Sequence, residues 1–188
     1  MPDIMHLVKI HASPDHVYQA ITTAEGVRNW WTRDTALDSK IGGTGEFGFN
    51  EHQFVIKVKI DELTPRTHVG WKMISSGLPA FDGTTIAFDL RAKGGDTILA
   101  FAHRGFKRAD NDFAGATTRW GFYLVSLKRY LEGGQGIPDP DDADLCGQVG
   151  RHARPLRTFA QPSWILRRTV DANIHADRWR RRRGQTFW

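Results

Sequence analysis

The sequence predicts an α+β fold in which a curved antiparallel β-sheet wraps around a long C-terminal helix, with two short helices after the first strand. Three observations carry this expectation. From Gly42 to His103, apolar residues recur at every second position, the period of half-buried strands. From Asp112 to Leu131 the period becomes helical: Trp120, Leu124, Leu127 and Leu131 follow at steps of four, three and four, with Thr117 before them. The strands present an apolar face that needs covering, and this helix is the one segment long enough to cover it.

Taken in order, Asp3 to His11 alternates loosely through Ile4, Leu7 and Ile10 and reads as a first strand. Ser13-Pro14-Asp15 starts a helix with an N-cap serine, a proline at the first helical position and an acid in the first turn. Val17, Ala20 and Ile21 form its apolar face. Thr23 caps a second short helix carrying Val27, Trp30 and Trp31. Two adjacent tryptophans on a helix cannot point the same way, so one is expected in the core and the other at a rim. About five antiparallel strands follow. Phe47 and Phe49 mark one, and Phe54, Ile56, Val58 and Ile60 the next, across a turn at Asn50-Glu51-His52. Val69, Trp71 and Met73 mark a third, after Thr64-Pro65-Arg66. Thr84 to Leu90 is a fourth. Lys93-Gly94-Gly95-Asp96 is a hairpin turn into the last, which carries Thr97, Leu99, Phe101 and His103 on one face. In the long helix, Asp112 is the expected N-cap and Gly133-Gly134 the stop.

Charge divides the chain. Residues 1–144 hold 16 Lys+Arg and 19 Asp+Glu, a net of −3, whereas residues 145–188 hold 10 Arg and 2 Asp, a net of +8. The basic character therefore belongs to the tail. The expected domain covers residues 1–137. Residues 138–188, opening with Pro138-Asp139-Pro140-Asp141-Asp142, read as an acidic linker and an Arg-rich, poorly ordered extension. A single cysteine, Cys146, excludes an intrachain disulfide and fits a reducing compartment. No signal peptide pattern and no run of about 18 apolar residues is present, so a cytoplasmic protein without a membrane span is expected.

Four ordered segments carry a family resemblance. They are Ile10 to Tyr18 (IHASPDHVY), Thr22 to Trp31 (TTAEGVRNWW), Gly83 to Leu90 (GTTIAFDL) and Trp120 to Glu132 (WGFYLVSLKRYLE), with His103-Arg104-Gly105 between the last two. This set resembles the START-like (SRPBCC) helix-grip superfamily, in the branch of homologues of the activator of the ninety-kilodalton heat-shock-protein ATPase. The resemblance covers about residues 4–138. It implies an apolar ligand cavity between the sheet and the long helix; it does not imply a reaction, since such folds host many functions.

On that basis Trp30, Trp31, Phe47, Phe49, Trp71, Phe88, Phe101, His103, Trp120 and Leu124 are the candidate ligand-binding residues. Each ring alone could equally be packed core. His103 is the one polar member in phase with Leu99 and Phe101, so it could orient a ligand or move a proton near neutral pH. Catalysis would need a second positioned group, and the sequence names none. Asp89, opposite in phase to Phe88, is expected in solvent.

Other motifs fall away. Gly43-Thr44-Gly45-Glu46-Phe47-Gly48 spells G-x-G-x-x-G, but a dinucleotide site needs a strand before it and a helix opening at the glycines. Here strand periodicity follows instead. The eight histidines are scattered without metal-ligand spacing, and no nucleophile elbow is present, so neither metal nor cofactor is expected. Cys146 lacks a prepared base. Arg178 to Arg183 with Trp179 could hold nucleic acid, though only non-specifically. Ser163 to Ala176 could form a helix.

The leading expectation is a domain that binds a small apolar or aromatic ligand without an identified catalytic step. The alternatives are a co-chaperone-like module binding a chaperone or other protein, and an enzyme of the polyketide cyclase or aromatase kind, without metal or nucleotide cofactor.

Overall fold

A computed structural model of the chain describes residues 1–142. Their strands are β1 (Ile4–Ile10), β2 (Asp34–Leu37), β3 (Thr44–Phe49), β4 (Phe54–Thr64), β5 (His68–Ser75), β6 (Thr85–Lys93) and β7 (Asp96–Arg104). They form one antiparallel sheet in the order β1-β7-β6-β5-β4-β3-β2. The last six are a meander, and β1 closes its far edge by pairing with β7, from Ile4 opposite His103 to Ile10 opposite Thr97. Two short helices, α1 (Pro14–Thr22) and α2 (Ala24–Arg28), carry the chain from one edge strand to the other. Ser13 and Thr23 cap them, accepting from the N–H of His16 and Gly26.

The alternation seen in the sequence becomes the inner face. Ile56, Val58, Ile60, Val69, Trp71, Met73, Ile86, Phe88, Leu90, Leu99 and Phe101 are all buried. Register shifts between Lys57 and Val58 and between Ile60 and Glu62 add bulges to the β4–β5 pair, which raise the local twist and help the sheet curl. Asp89 faces outward and is exposed, as its phase requires.

The sequence gives no sign of β2. It has four residues, only Thr35 among them is buried, and so short an edge strand shows no period. Close packing around β3 explains the glycine run. A Cβ on Gly48 would stand 1.9 Å from Asp34 Oδ2, and one on Gly45 would stand 2.8 Å from the Phe47 ring. Those glycines admit neighbouring atoms, not a phosphate. The turn after β3 places Asn50, Glu51 and His52 all in the left-handed region, with φ of 51°, 57° and 65°. Asparagine and histidine are among the residues that enter that region most readily, so the strain of the turn falls on Glu51.

Across the inner face lies α3 (Asn111–Leu131), which buries Ala116, Trp120, Tyr123, Leu124 and Leu127. Its N-cap is Asp110, not Asp112: Asp110 is extended and its carboxylate accepts from the Phe113 N–H at 3.2 Å. Asp112 falls in the first turn, where its charge still suits the dipole. Gly133, at φ 85°, ends the helix.

The chain after α3 does not leave the domain at residue 137. Ile137 N–H donates to Ser126 Oγ at 2.7 Å, and the Ser126 hydroxyl donates to the Trp30 carbonyl at 2.9 Å. Asp139 then exchanges backbone bonds with Trp31 and Arg33. The Arg33 guanidinium pairs with Asp141. Residues 138–142, expected as the start of a linker, are thus fastened beside α2 and β2. The Arg178 to Arg183 run, Cys146 and the segment from Ser163 to Ala176 lie outside the described residues.

Ser126 serves both partners of this tether from inside the core. Replacing it by alanine strands a part-buried N–H and a buried carbonyl, so Ser126→Ala is expected to lower the unfolding free energy by about 2 kcal/mol. Val125→Ala, on the exposed face, is expected to change it by less than about 0.5 kcal/mol. Urea denaturation compares the two, and equal effects would show that the tether contributes nothing.

Candidate functional site

Between the N-terminal half of α3 and the curled inner face of β3, β4 and β5 the side chains leave a cavity of about 370 Å³. Trp31, Phe49, Phe54, Phe81, Trp120 and Tyr123 supply aromatic wall, and Ile56, Met73, Leu78 and Ala116 supply aliphatic wall. The cavity meets solvent beside Glu51 and Pro140, both exposed.

Of the ten residues proposed from sequence, Trp31, Phe49, His103 and Trp120 line this cavity. Trp30, Phe47, Trp71, Phe88, Phe101 and Leu124 are buried core behind them. The layer is continuous. Trp31 stacks on Trp71 with centroids 5.9 Å apart and lies 4.5 Å from Phe47. Phe101 lies 4.4 Å from Trp120 and meets Phe88 edge to face. Of the adjacent pair, Trp30 is the core member, with its indole N–H on the Ala20 carbonyl at 2.9 Å, and Trp31 reaches the cavity.

His103 stands at the inner end with 1% of its surface exposed. An indole nitrogen can only donate, so the Trp120 N–H, 3.1 Å away, fixes Nδ1 as an acceptor. The ring proton is therefore on Nε2 and points to Thr84 Oγ1 at 2.8 Å. The Thr84 hydroxyl in turn donates to the Phe81 carbonyl. Burial pushes the imidazole from its ordinary 6.5 down to about 3. The ring is neutral at neutral pH and both nitrogens are engaged, so it orients Trp120 and has no lone pair with which to take a proton from a ligand.

The opposite end is polar, and the sequence did not point to it. Tyr123 donates its hydroxyl to Asp142 at 2.6 Å, and Arg119 lies 3.7 Å from the same carboxylate. Asp139 accepts from the Asn50 N–H, delivered by the left-handed turn at 3.1 and 3.2 Å to its two oxygens. Burial raises the Tyr123 phenol, and the bond to Asp142 raises it further. Burial also raises the Asp139 carboxyl, against the help of Asn50. Glu51, Asn111 and Asp112 complete the rim. These groups come from three distant segments, so no local motif unites them. One signal was present: Asp112, Gly115, Arg119 and Tyr123 run at steps of three, four and four beside the apolar stripe.

Among the described residues no group of His, Cys, Asp or Glu is placed to hold a metal ion. No helix among them is long and apolar enough to cross a membrane.

Comparison with known proteins agrees with this architecture. The family model described as Activator of Hsp90 ATPase homolog 1-like protein matches residues 11–132. The solution structure of the Aha1 dimer from Colwellia psychrerythraea is 34% identical, with a TM-score of 0.66, covering 72% of this chain and all of that one. The protein SSP2350 from Staphylococcus saprophyticus is 18% identical, with a TM-score of 0.61, over 72% of this chain and 96% of its own. CalU16 from Micromonospora echinospora is 18% identical, with a TM-score of 0.58, over 70% and 74%. The last two share the fold. No curated protein sequence matches the chain.

The neutral His103 has a pH signature. Below about pH 6.5 the unfolded chain takes up a proton there that the folded chain refuses until about pH 3. The stabilisation is therefore complete above the unfolded value and is lost as pH falls through that window. Stability is expected to fall about 1.4 kcal/mol per pH unit more steeply in the wild type than in His103→Gln, between about pH 6 and 4. Parallel profiles would mean that the folded ring accepts the proton.

Proposed function

Because the chain belongs to the Activator of Hsp90 ATPase homolog 1-like family, within the START-like helix-grip superfamily, we propose that it binds a small apolar or aromatic molecule between sheet and α3. The observation that carries this reading is the cavity itself. A core with this many rings could have closed, and six of the ten nominated residues do close it. The space beside Trp31 and Trp120 remains open, within the size range of small-molecule sites, with aromatic walls and a few polar groups at one end. The engaged, neutral His103 favours binding without proton transfer.

A second reading has its own observation. On the outer face of the sheet, Met5 and Leu7 are 68% and 73% exposed. They stand opposite Ala102 and Ala100 of β7, and Ala102 in turn pairs with Ala87 of β6. Ala102 is itself buried and Ala100 partly so, which leaves Met5 and Leu7 as a small exposed apolar patch of the kind that protein partners cover. The 34% identical relative is a dimer by description, so the partner we assign to this patch is a second copy of the chain. Leu7→Glu is then expected to shift the sedimentation of the full chain from dimer to monomer; a wild type that sediments as a monomer removes this reading.

Gly115 offers a direct test of the cavity. It lines the space, and a Cβ built on it meets nothing within 4 Å, so a larger side chain there enters the cavity rather than the core. Gly115→Phe in the full chain is expected to abolish binding of an apolar fluorescent probe. It should also keep or slightly raise stability, since glycine inside a helix costs up to about 1 kcal/mol relative to better formers. Native mass spectrometry of the wild type would show any retained ligand. A wild type that binds no probe, or a Gly115→Phe chain that binds it equally well, would sink the proposal.

A further inference from the structure

We propose that the molecule held in this cavity is a cation, an apolar or aromatic body that carries an amine or quaternary ammonium group. This rests on the ligand-binding reading above and adds the charge of the ligand.

The argument begins with the charges that line the space. Glu51, Asp112, Asp139 and Asp142 are acidic and Arg119 alone is basic, a formal sum of −3. Arg119 already lies against Asp142, so one of the four carboxylates is answered from within the protein. His103 adds no charge, because both its nitrogens are committed and burial keeps it neutral. An anion entering here would meet a lining of net negative charge.

The walls point the same way. Trp31, Trp120, Tyr123 and Phe49 all border the space, and the face of an aromatic ring is the negative part of its quadrupole. Such faces attract ammonium groups, most strongly where water is thin. A merely apolar ligand would gain from the rings but nothing from the carboxylates. A cation gains from both, and aromatic walls beside fixed carboxylates suit an alkylated ammonium.

Neither Asp139 nor Asp142 is free to swing away to water. Asp142 is fixed by the Tyr123 hydroxyl and keeps only 11% of its side-chain surface. Asp139 is fixed by the Asn50 amide at the end of a turn that accepts left-handed backbone to deliver it. Its carboxyl is raised by burial and further by the neighbouring Asp142, which marks a place short of positive charge. Groups held in position before a ligand arrives lose little entropy when it binds.

The test uses the full chain and three molecules of one shape: benzyltrimethylammonium, its neutral isostere neopentylbenzene, and the anion benzylsulfonate. Binding is read from the Trp120 indole N–H signal by NMR titration, beside an apolar dye as reference. The cation is expected to bind about tenfold or more tighter than the isostere, and the anion not at all. Asp142→Asn and Asp139→Asn keep an acceptor for Tyr123 and Asn50, so the fold is expected to survive. Each should cut cation affinity several-fold and leave neopentylbenzene unchanged; Glu51→Gln, on the exposed turn, provides the same readout if either fails to fold. If the isostere or the anion binds as tightly as the cation, the charge assignment is overturned and the ligand cavity stands. Dye binding without any binding of the cation has the same meaning. If neither the dye nor any of the three binds, the ligand-binding reading falls and takes this one with it.

Discussion

The indole N–H of Trp120 donating to Nδ1 of His103 is the bond on which the rest of the site depends. It joins α3 to β7 inside the core, where an unmade bond would cost a full desolvation penalty. Because indole can only donate, it decides the imidazole tautomer. That tautomer sends the Nε2 proton to Thr84, and Thr84 holds the Phe81 carbonyl. One bond thus sets the rotamer of a cavity wall, the charge of the buried histidine and the position of the loop that carries Phe81. Burial pushes His103 down to about 3, so the arrangement is stable only with a neutral ring.

Behind this bond the aromatic residues divide between two tasks. Phe47, Trp71, Phe88 and Phe101 pack as a continuous layer, stacked between Phe47 and Trp71 and edge to face beyond, with centroids from 5.2 to 5.5 Å apart between neighbours. Such pairs add to their area burial and resist displacement. They form a stiff floor. Trp31 and Trp120, 5.1 Å apart, stand on that floor and face the open space. A cavity beside a mobile core would collapse; one beside locked rings can persist, because interiors do not deform continuously.

The fold was legible because its two periods are long and clean. Nine or more residues at period two in β4, β6 and β7, and 21 at the helical period, leave little choice of partner faces. The failures share a physical cause, which is that local pattern cannot report a bond to a distant segment. The strand β2 is held by its pairing with β3 and not by its own pattern. Asp110 and Asp112 are equally good caps on paper, and only the backbone decides between them. Sequence could nominate the aromatic residues but could not separate wall from floor, since Trp71 and Trp120 look alike as letters. The acidic end was hidden most deeply: Asp139 and Asp142 read as linker because the stretch around them is rich in proline and aspartate and has no period, yet they are held by Asn50 and Tyr123 from other segments.

That last point bears on what family membership can say about function. The match to the family covers residues 11–132, which includes the aromatic residues, His103 and α3. Asp139, Pro140 and Asp142 lie beyond it, although they line the same cavity. Residues 11–132 supply the aromatic walls together with Glu51, Asp112 and Arg119, and the segment after α3 adds Asp139 and Asp142. Two chains can then possess the same fold and the same aromatic walls and still select ligands of opposite charge. Under our proposal that role falls, for this chain, to the residues that the tether through Ser126 and Ile137 brings back to the mouth of the cavity. On the proposed reading, ligand choice is written in the return of the chain after α3, and the fold supplies the place to which it returns.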